Sequence, residues 1–279
     1  MSEVTAGSVV GAVPRGLFRR AGTRLWDFLP AVAVLVAGVG LWQVLVTVLH
    51  VQRFLLPKPT EIVSALTGNW HVLWSAGLFT FREALGGFAI GSGMGVLVAV
   101  ALSRFPRVGR ALLPYAVAAN AVPIIAFAPI MNNWFGLLNP LSKMALSAMI
   151  CFFPVMINTL RGLTSVAPES VELMRSYAAG ETAVLWKVRL PNSLPYLFAG
   201  LRVATVLSMI GAVVGDYFGG STQSLGVFIV NKSSLFVFDQ AWAAIVVASV
   251  LGVGFYLAVG LVERFALRWH VSTRGTERP

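Results

Sequence analysis

Six stretches without Asp, Glu, Lys or Arg recur along the chain, and short polar segments separate them. A helix needs about 20 apolar residues to cross the hydrocarbon core of a bilayer. Most of the stretches reach this length alone or nearly so, and the shorter ones reach it with their flanks. The pattern therefore predicts an all-α membrane protein with six transmembrane helices. The stretches occupy residues 28–51, 84–103, 111–142, 144–160, 203–215 and 240–262.

The same pattern divides the chain into five parts. A polar tail, 1–27, precedes the first transmembrane helix at 28–51. An external loop at 52–79 leads into a core, 80–263, which holds the other five spans and an inside loop at 161–192. A second tail, 264–279, closes the chain. The apolar stretch after the first tail is too long for a removable signal peptide, so we interpret it as a retained signal anchor.

Composition supports a membrane protein. Of the 279 residues, 57% are hydrophobic and only 11% are charged, against roughly a quarter charged in soluble domains. The net charge of +10 would suit a nucleic-acid binder if the basic residues were clustered, but they are divided among the loops, so no nucleic-acid partner is expected. The single cysteine, Cys151, lies in a predicted span and is interpreted as a small core residue.

Basic residues set the orientation. With six spans, most of the arginines fall on one side, and positive loops stay cytoplasmic. Both termini and the inside loop are therefore expected in the cytoplasm, while Lys58 and Lys232 are expected outside. The inside set is Arg15, Arg19, Arg20, Arg24, Arg104, Arg107, Arg110, Arg161, Arg175, Lys187, Arg189, Arg264, Arg268, Arg274 and Arg278.

Small residues and prolines distinguish two of the spans. Gly87, Gly91 and Gly95 recur every four residues on one face of the second span, which predicts close packing against another helix. In the third span, Pro114, Pro123 and Pro129 each remove a backbone donor. Freed carbonyls at membrane depth must face protein or a wet cavity, which favours a place for this span along a path through the membrane, with packed kinks as the alternative.

Four charged residues at or within the predicted spans have more than one interpretation. Asp216, at the outer end of the fifth span, is either a gating or helix-pairing group or a solvated interfacial carboxylate. Arg202 is expected to extend to the cytoplasmic surface. Arg82 and Glu83 are expected to pair with neighbouring helices rather than with each other. His50 and His71 lack a third ligand, so no metal site is expected.

The inside loop has the pattern of two short amphipathic helices. Pro168 and Glu169 after Ser165 suit a helix start, and Glu169 and Glu172 lie favourably near its positive end. Small residues, 178–180, interrupt this helix. A second apolar face follows at 184–188, and we expect Pro191 and Pro195 to stop it. Exposed apolar residues on such a loop require another protein to cover them.

This loop resembles the cytoplasmic motif of the transmembrane subunits of binding-protein-dependent ABC importers. The motif reads Glu-Ala-Ala, three residues, Gly, nine residues, an aliphatic residue, one residue, then Leu-Pro. Leu190 and Pro191 match its end, and Glu172 its leading glutamate. Ala178 replaces the motif glycine, and Gly180 is expected to supply the turn. The residues that the resemblance assigns to ATPase coupling are Glu172, Arg175, Ala178, Ala179, Gly180, Trp186, Leu190 and Pro191.

The resemblance extends over roughly 55–270. The blocks LLPKPTEIV, REALGGFAIGSGMG, VPIIAFAPIMNNWFG, SKMALSAMICFFPVMINTLRGL and GDYFGGSTQSLG resemble the branch that carries nitrate, sulfonates such as taurine, and vitamin or pyrimidine precursors. RSYAA and KVRLPNSLPYLF resemble in particular permeases for riboflavin or thiamine-pyrimidine precursors. The residues expected along the translocation path are Pro123, Pro129, Asn132, Asn133 and Asp216.

The resemblance implies a type I ABC importer permease fold in the bacterial plasma membrane. It implies a homodimer, an extracytoplasmic substrate-binding protein and two ATPase subunits that clasp the two loops. The sequence has no GxxxxGK[ST] phosphate loop. The chain is therefore expected to be a non-catalytic subunit without a cofactor, whose partners bind ATP. The alternatives are a secondary transporter driven by an ion gradient, which would need intramembrane charged relays, and a membrane-embedded enzyme.

Overall fold

The computed structural model describes residues 19–119 and 122–268, and all regular secondary structure within them is helical. A 3₁₀ turn, Ile124–Phe127, precedes α5, and a π-helical segment, Leu185–Arg189, lies between α8 and α9. The helices are α1 Arg19–Val48, α2 Pro59–Gly68, α3 Trp70–Ser103, α4 Pro106–Ala119, α5 Ala128–Phe135, α6 Pro140–Thr164, α7 Pro168–Ser176, α8 Glu181–Val184, α9 Leu190–Tyr217, α10 Leu225–Ser234 and α11 Phe238–Ala266.

Five helices within the described ranges are long and apolar enough to cross a membrane. The fourth of them continues from α8 through the π segment to the end of α9, so one helical rod spans Glu181–Tyr217. These five correspond to the first, second, fourth, fifth and sixth predicted spans. They are Leu29–Val48, Trp70–Ser103, Pro140–Thr164, Glu181–Tyr217 and Phe238–Ala266.

The third predicted span is broken, as its prolines suggested. Pro123 immediately precedes the 3₁₀ turn, and Pro129 lies in the first turn of α5, where a missing N–H leaves no bond unmade. Pro114 lies inside α4. Because the segment is divided among α4, the 3₁₀ turn and α5, no single helix within its described part is long enough to cross the bilayer alone.

The central contact of the bundle joins α3 and α6, and the glycine face predicted in the second span forms it. A Cβ on Gly87 would collide with Ser147, one on Gly91 with the backbone of Ala148, and one on Gly95 would lie 2.8 Å from the Phe152 carbonyl. Lipid offers no hydrophobic drive for helices to associate, so close backbone approach and dispersion contacts hold them together. The packing prediction for these glycines is confirmed.

Helix α9 also packs closely against α6. A Cβ on Gly211 would lie 2.8 Å from the Ser147 Cα atom. Two hydrogen bonds also cross this interface: the Ser147 hydroxyl donates to the Ser208 carbonyl, and the Cys151 thiol donates to the Ala204 carbonyl. Cys151 is fully buried, which confirms its interpretation as a core residue. Helices α3, α6 and α9 thus form a closely packed unit, with α10 and α11 against α9.

The connection between α1 and α2 is held by an ion pair. The Arg53 Nε atom lies 2.6 Å from Glu61 Oε1, and the Lys58 backbone N–H donates to Glu61 Oε2. Burial alone would raise the pKa of the Glu61 carboxyl, but the hydrogen bonds from Arg53 and Lys58 and their positive charges bring it below its ordinary value. The start of α2 is therefore fixed by a charged cap.

Candidate functional site

The first half of the inside loop is helix α7, which begins at Pro168 as the sequence predicts. Glu169 lies in its first turn and Arg175 in its last, so both charges complement the helix dipole. Glu172 is exposed on its surface. Arg175 forms a 3.0 Å ion pair with Glu181, which begins α8. This pair spans the turn between the two helices, although both side chains are more than half exposed and the pair contributes little by itself.

The turn after α7 is a Schellman motif. The Ala178 N–H donates to the Arg175 carbonyl, and the Ala179 N–H donates to the Met174 carbonyl. Ala178 has a φ of 56°, the left-handed conformation that glycine normally occupies at this position. The expectation that Gly180 supplies the turn is wrong: its φ is −70° and ψ is 163°, ordinary extended values. Ala178 therefore takes the backbone conformation expected of the motif glycine that it replaces.

The second half of the loop is not stopped by prolines as expected. Pro191 lies in the first turn of α9 and Pro195 lies inside it, yet helix continues from Glu181 to Tyr217. A π segment at Leu185–Arg189 ends two residues before Pro191. A π segment holds one extra residue per turn, so the register of the backbone hydrogen bonds changes just before Pro191. The missing N–H of Pro191 is tolerated there, in the first turn of α9. The second half of the loop is therefore helical without interruption into a long apolar helix.

Three hydrogen bonds fasten the loop region to the membrane helices. The Asn192 amide donates to the Gly162 carbonyl at 2.9 Å and to the Ser165 hydroxyl at 3.1 Å. The Arg189 guanidinium donates to the Ser103 carbonyl at the end of α3. These bonds tie the start of α9 to the C-terminal ends of α3 and α6.

One side of this segment is buried and the other carries large exposed side chains. Val184 and Leu185 are buried, and Leu185 belongs to the core cluster that includes Leu160 and Leu163 of α6. Trp186, next to them, is 66% exposed. Leu173 and Tyr177 of α7 are also exposed. The apolar face predicted at 184–188 is therefore directed largely into the core, and the exposed aromatic and aliphatic side chains are Leu173, Tyr177 and Trp186. Ala179, Leu190 and Pro191 are half-buried.

The residues expected along the path fall into two groups. Pro123, Pro129 and Asn133 are exposed, whereas Asn132 and Asp216 are buried. The Asn132 amide donates to the Phe218 carbonyl and its oxygen accepts from the Lys143 ammonium. The structure therefore brings Asn132 and Asp216 into one cluster and leaves the other three outside it.

That cluster contains charged groups which sequence reasoning did not assign to a site. Glu83 of α3 is 3% exposed, Lys143 of α6 is 1% exposed, and Asp216 of α9 is 0% exposed. The Glu83 and Asp216 carboxyls lie close enough to act on each other. The interpretation of Asp216 as a solvated interfacial carboxylate is wrong. The signal available in the sequence was the lone Lys143 between the long charge-free stretches 111–142 and 144–160.

A separate ion pair joins α9 and α11. The Arg202 Nε atom is 2.5 Å from Glu263 Oε2 of α11, and the guanidinium lies 5.6 Å from the Tyr256 ring centroid. Arg202 was expected to extend to the cytoplasmic surface; its side chain is 37% exposed, and its partner Glu263 lies near the end of α11. The pair joins α9 to α11, because an arginine at membrane depth is stabilised by a carboxylate on the adjoining helix.

Comparison with known proteins identifies the class. Residues 91–268 match the family described as "Binding-protein-dependent transport system inner membrane component". The chain belongs to this family. It is a multi-pass protein of the bacterial plasma membrane and an ABC transporter permease, of the branch that includes nitrate, sulfonate and taurine permeases.

Curated relatives cover most of the chain. The riboflavin transport system permease protein RibX of Chloroflexus aurantiacus is 31% identical over 88% of this chain and 92% of its own length. The formylaminopyrimidine transport permease protein ThiX of Halalkalibacterium halodurans is 32% identical over 78% of this chain and 87% of its own. The putative aliphatic sulfonates transport permease protein SsuC of Bacillus subtilis is 27% identical over 99% of this chain and 100% of its own.

A solved structure supports the fold. The chain is similar to an amino acid ABC transporter crystallised with histidines, with a TM-score of 0.57 and 16% sequence identity. The match covers 71% of this chain and 96% of that one. At this identity the likeness concerns the fold alone.

Proposed function

We propose that this chain is the transmembrane subunit of an ATP-driven importer, which forms the translocation path for a small solute and is coupled to a separate ATPase through residues 161–192. The observation that carries the proposal is the exposed loop surface of Leu173, Tyr177 and Trp186 on a segment continuous with a membrane helix. The family of the chain is that of binding-protein-dependent systems, which supports an ATPase and an extracytoplasmic binding protein as partners.

The proposed assembly has two copies of this chain and two ATPase subunits. Each loop would receive one ATPase, so that closure of the ATPase pair pushes both loops at once. A two-fold axis between the copies would make their contact isologous. ATP would bind to the ATPases, and this chain needs no cofactor in the proposal. The named relatives favour a sulfonate or other small anion, or a vitamin or pyrimidine precursor, as the solute.

The proposed topology has six crossings. The broken segment from α4 to α5 would make the third crossing jointly, and both termini would lie in the cytoplasm. Pro123, Pro129 and Asn133 are exposed on this segment, which supports its proposed place along the path, since irregular backbone at membrane depth is stable only beside protein or water. The ion-gradient alternative gains one supporting feature, the buried charged cluster, but the exposed loop has no role in it.

Cysteine labelling tests orientation and docking together. In a Cys151→Ser background, an impermeant reagent outside intact cells is expected to modify cysteines at positions 58 and 232 but not at 172. In opened membranes, position 172 should react weakly until peripheral subunits are stripped, because a docked ATPase covers it. Labelling of position 172 in intact cells would overturn the orientation, and labelling unaffected by stripping would overturn the docking.

A further inference from the structure

The buried cluster of Glu83, Lys143 and Asp216 joins the three central helices. Among the residues that the structure describes, the charged groups that act on Glu83 are Asp216 from α9 and Lys143 from α6. The other elements around the cluster contribute neutral groups: Asn132 from α5 and Ser224 from the segment before α10. An uncompensated charge in such a place costs several kcal/mol, so the cluster is expected to be close to electrically neutral.

Lys143 does not bind either carboxyl directly. An ammonium group has three donors, and here they point to the Leu137 carbonyl, the Asn132 side-chain oxygen at 3.3 Å and the Ser142 hydroxyl at 3.0 Å. Within the described part of the chain, its nitrogen lies within 4.0 Å of no carboxylate oxygen. Lys143 therefore supplies one positive charge to the cluster but no hydrogen bond to Glu83 or Asp216.

The surroundings of the two carboxyls call for a proton between them. Glu83 Oε2 and Asp216 Oδ1 are both buried and have no hydrogen-bond partner of good geometry among the described residues, while the Ser224 hydroxyl lies close to Asp216. Two ionised carboxylates can only accept hydrogen bonds, so their contact would be repulsive. With Lys143 charged and both acids ionised, the cluster would carry one negative charge, and with one proton on the acid pair it would carry none.

The hydrogen bonds around Asp216 indicate which acid holds that proton. The Leu225 N–H donates to the Thr80 hydroxyl oxygen at 2.9 Å, and the Thr80 hydroxyl in turn donates to Asp216 Oδ2 at 2.8 Å. This chain of donors stabilises Asp216 as the ionised acceptor. Glu83 is then the acid, with its proton directed to Asp216. Because the two carboxyls titrate as a pair, a titration of the protein assigns the proton to the pair and not to one residue.

We propose that Glu83 and Asp216 form a proton-binding site that holds one proton in this conformation, and that parting of α3, α6 and α9 at the outer end releases it. In that step the Glu83 O–H bond breaks, the proton passes to entering water, and both acids become hydrated carboxylates. The link to opening rests on the proposed function, because it needs an outer gate. By linkage, higher pH favours the open form, with at most about a tenfold change in the equilibrium constant per pH unit for one proton.

Infrared spectroscopy of the chain in membranes tests the site itself, without any ATPase. The C=O stretching band of a protonated carboxylic acid is expected at neutral pH in the wild type. The band should disappear in Glu83→Gln, whose amide keeps a donor toward Asp216, and in Asp216→Asn, where Glu83 ionises opposite Lys143. Glu61→Gln is the matched control and should keep the band. Absence of the band in the wild type, or its persistence in both cluster variants, would overturn the proposal.

Accessibility tests the link to opening. A cysteine at position 142, buried beside Lys143, in a Cys151→Ser background should react faster from outside as pH rises. When Glu83→Gln is combined with this cysteine variant, the labelling rate at position 142 should no longer follow the titration of the Glu83–Asp216 pair. A rate that changes with pH equally in both would overturn the linkage. Because the infrared result does not depend on transport, failure of the proposed function leaves it intact.

Discussion

Replacing Gly91 with valine is expected to prevent α3 and α6 from packing and so to remove most of the folded protein. A Cβ at Gly91 would already overlap the Ala148 backbone, and valine adds two more methyl groups. Overpacking of a core typically costs about 1–3 kcal/mol. Here the obstacle is backbone, which cannot rotate away, so the cost should reach about 3 kcal/mol or more. Thermal unfolding of the detergent-purified chain measures it.

Gly93→Val is the matched control for this prediction. Gly93 lies two residues further along α3, and a Cβ there would meet no atom within 4 Å. Its replacement changes only the helix propensity, by less than about 1 kcal/mol. Equal loss of unfolding temperature in the two variants would show that the glycine face of α3 does not determine the contact with α6.

Ala178→Ile is expected to open the turn between α7 and α8. A non-glycine residue in the left-handed region carries a cost of about 1–2 kcal/mol, which Ala178 already bears, and a β-branched side chain adds to it. Ala178→Gly removes the cost and should tighten the turn. Amide hydrogen exchange of the isolated chain should therefore be faster over 172–184 in the isoleucine variant and slower in the glycine variant. Uptake and ATPase coupling should fall only in the former.

Gly180→Ile is the control with the same side chain two residues away. Gly180 is extended and a Cβ there would meet open space, so a β-branched residue is tolerated and exchange should stay close to that of the wild type. If Gly180→Ile accelerated exchange as much as Ala178→Ile, the left-handed turn at Ala178 would not be the element that holds α7 in place.

Local patterns predicted much of the fold. Length and hydropathy located five of the transmembrane helices, because crossing a bilayer sets a minimum apolar length. The spacing of Gly87, Gly91 and Gly95 predicted a packing face, and the position of Pro168 predicted the start of α7. The prolines at 123 and 129 predicted a broken third span. In each case the physical cause acts within a few residues of the chain.

Features that depend on distant parts of the chain were missed. Glu83 was expected to pair with a neighbouring helix and Asp216 was placed along the path, but the cluster joins α3, α6 and α9, so no local pattern indicates that Glu83, Lys143 and Asp216 meet. Arg202 gave no sign of its partner Glu263 for the same reason. The expectation that Pro191 ends the helix was wrong because the π segment before it allows the helix to continue. Such a segment has no clear sequence signature. Ala178 shows that a residue other than glycine can adopt the left-handed backbone conformation at this turn position.

Docking of an ATPase on the loop around Trp186 is tested most directly by photo-crosslinking at position 186. A photoreactive amino acid in place of Trp186 should crosslink, in native membranes, to a polypeptide that mass spectrometry shows to contain a GxxxxGK[ST] phosphate loop. The same amino acid in place of Trp134 is the control, because Trp134 is 69% exposed but lies on α5, which packs at the other end of α6. Position 134 should give no such product. An ATPase crosslink at position 134, or none at 186, would contradict the account.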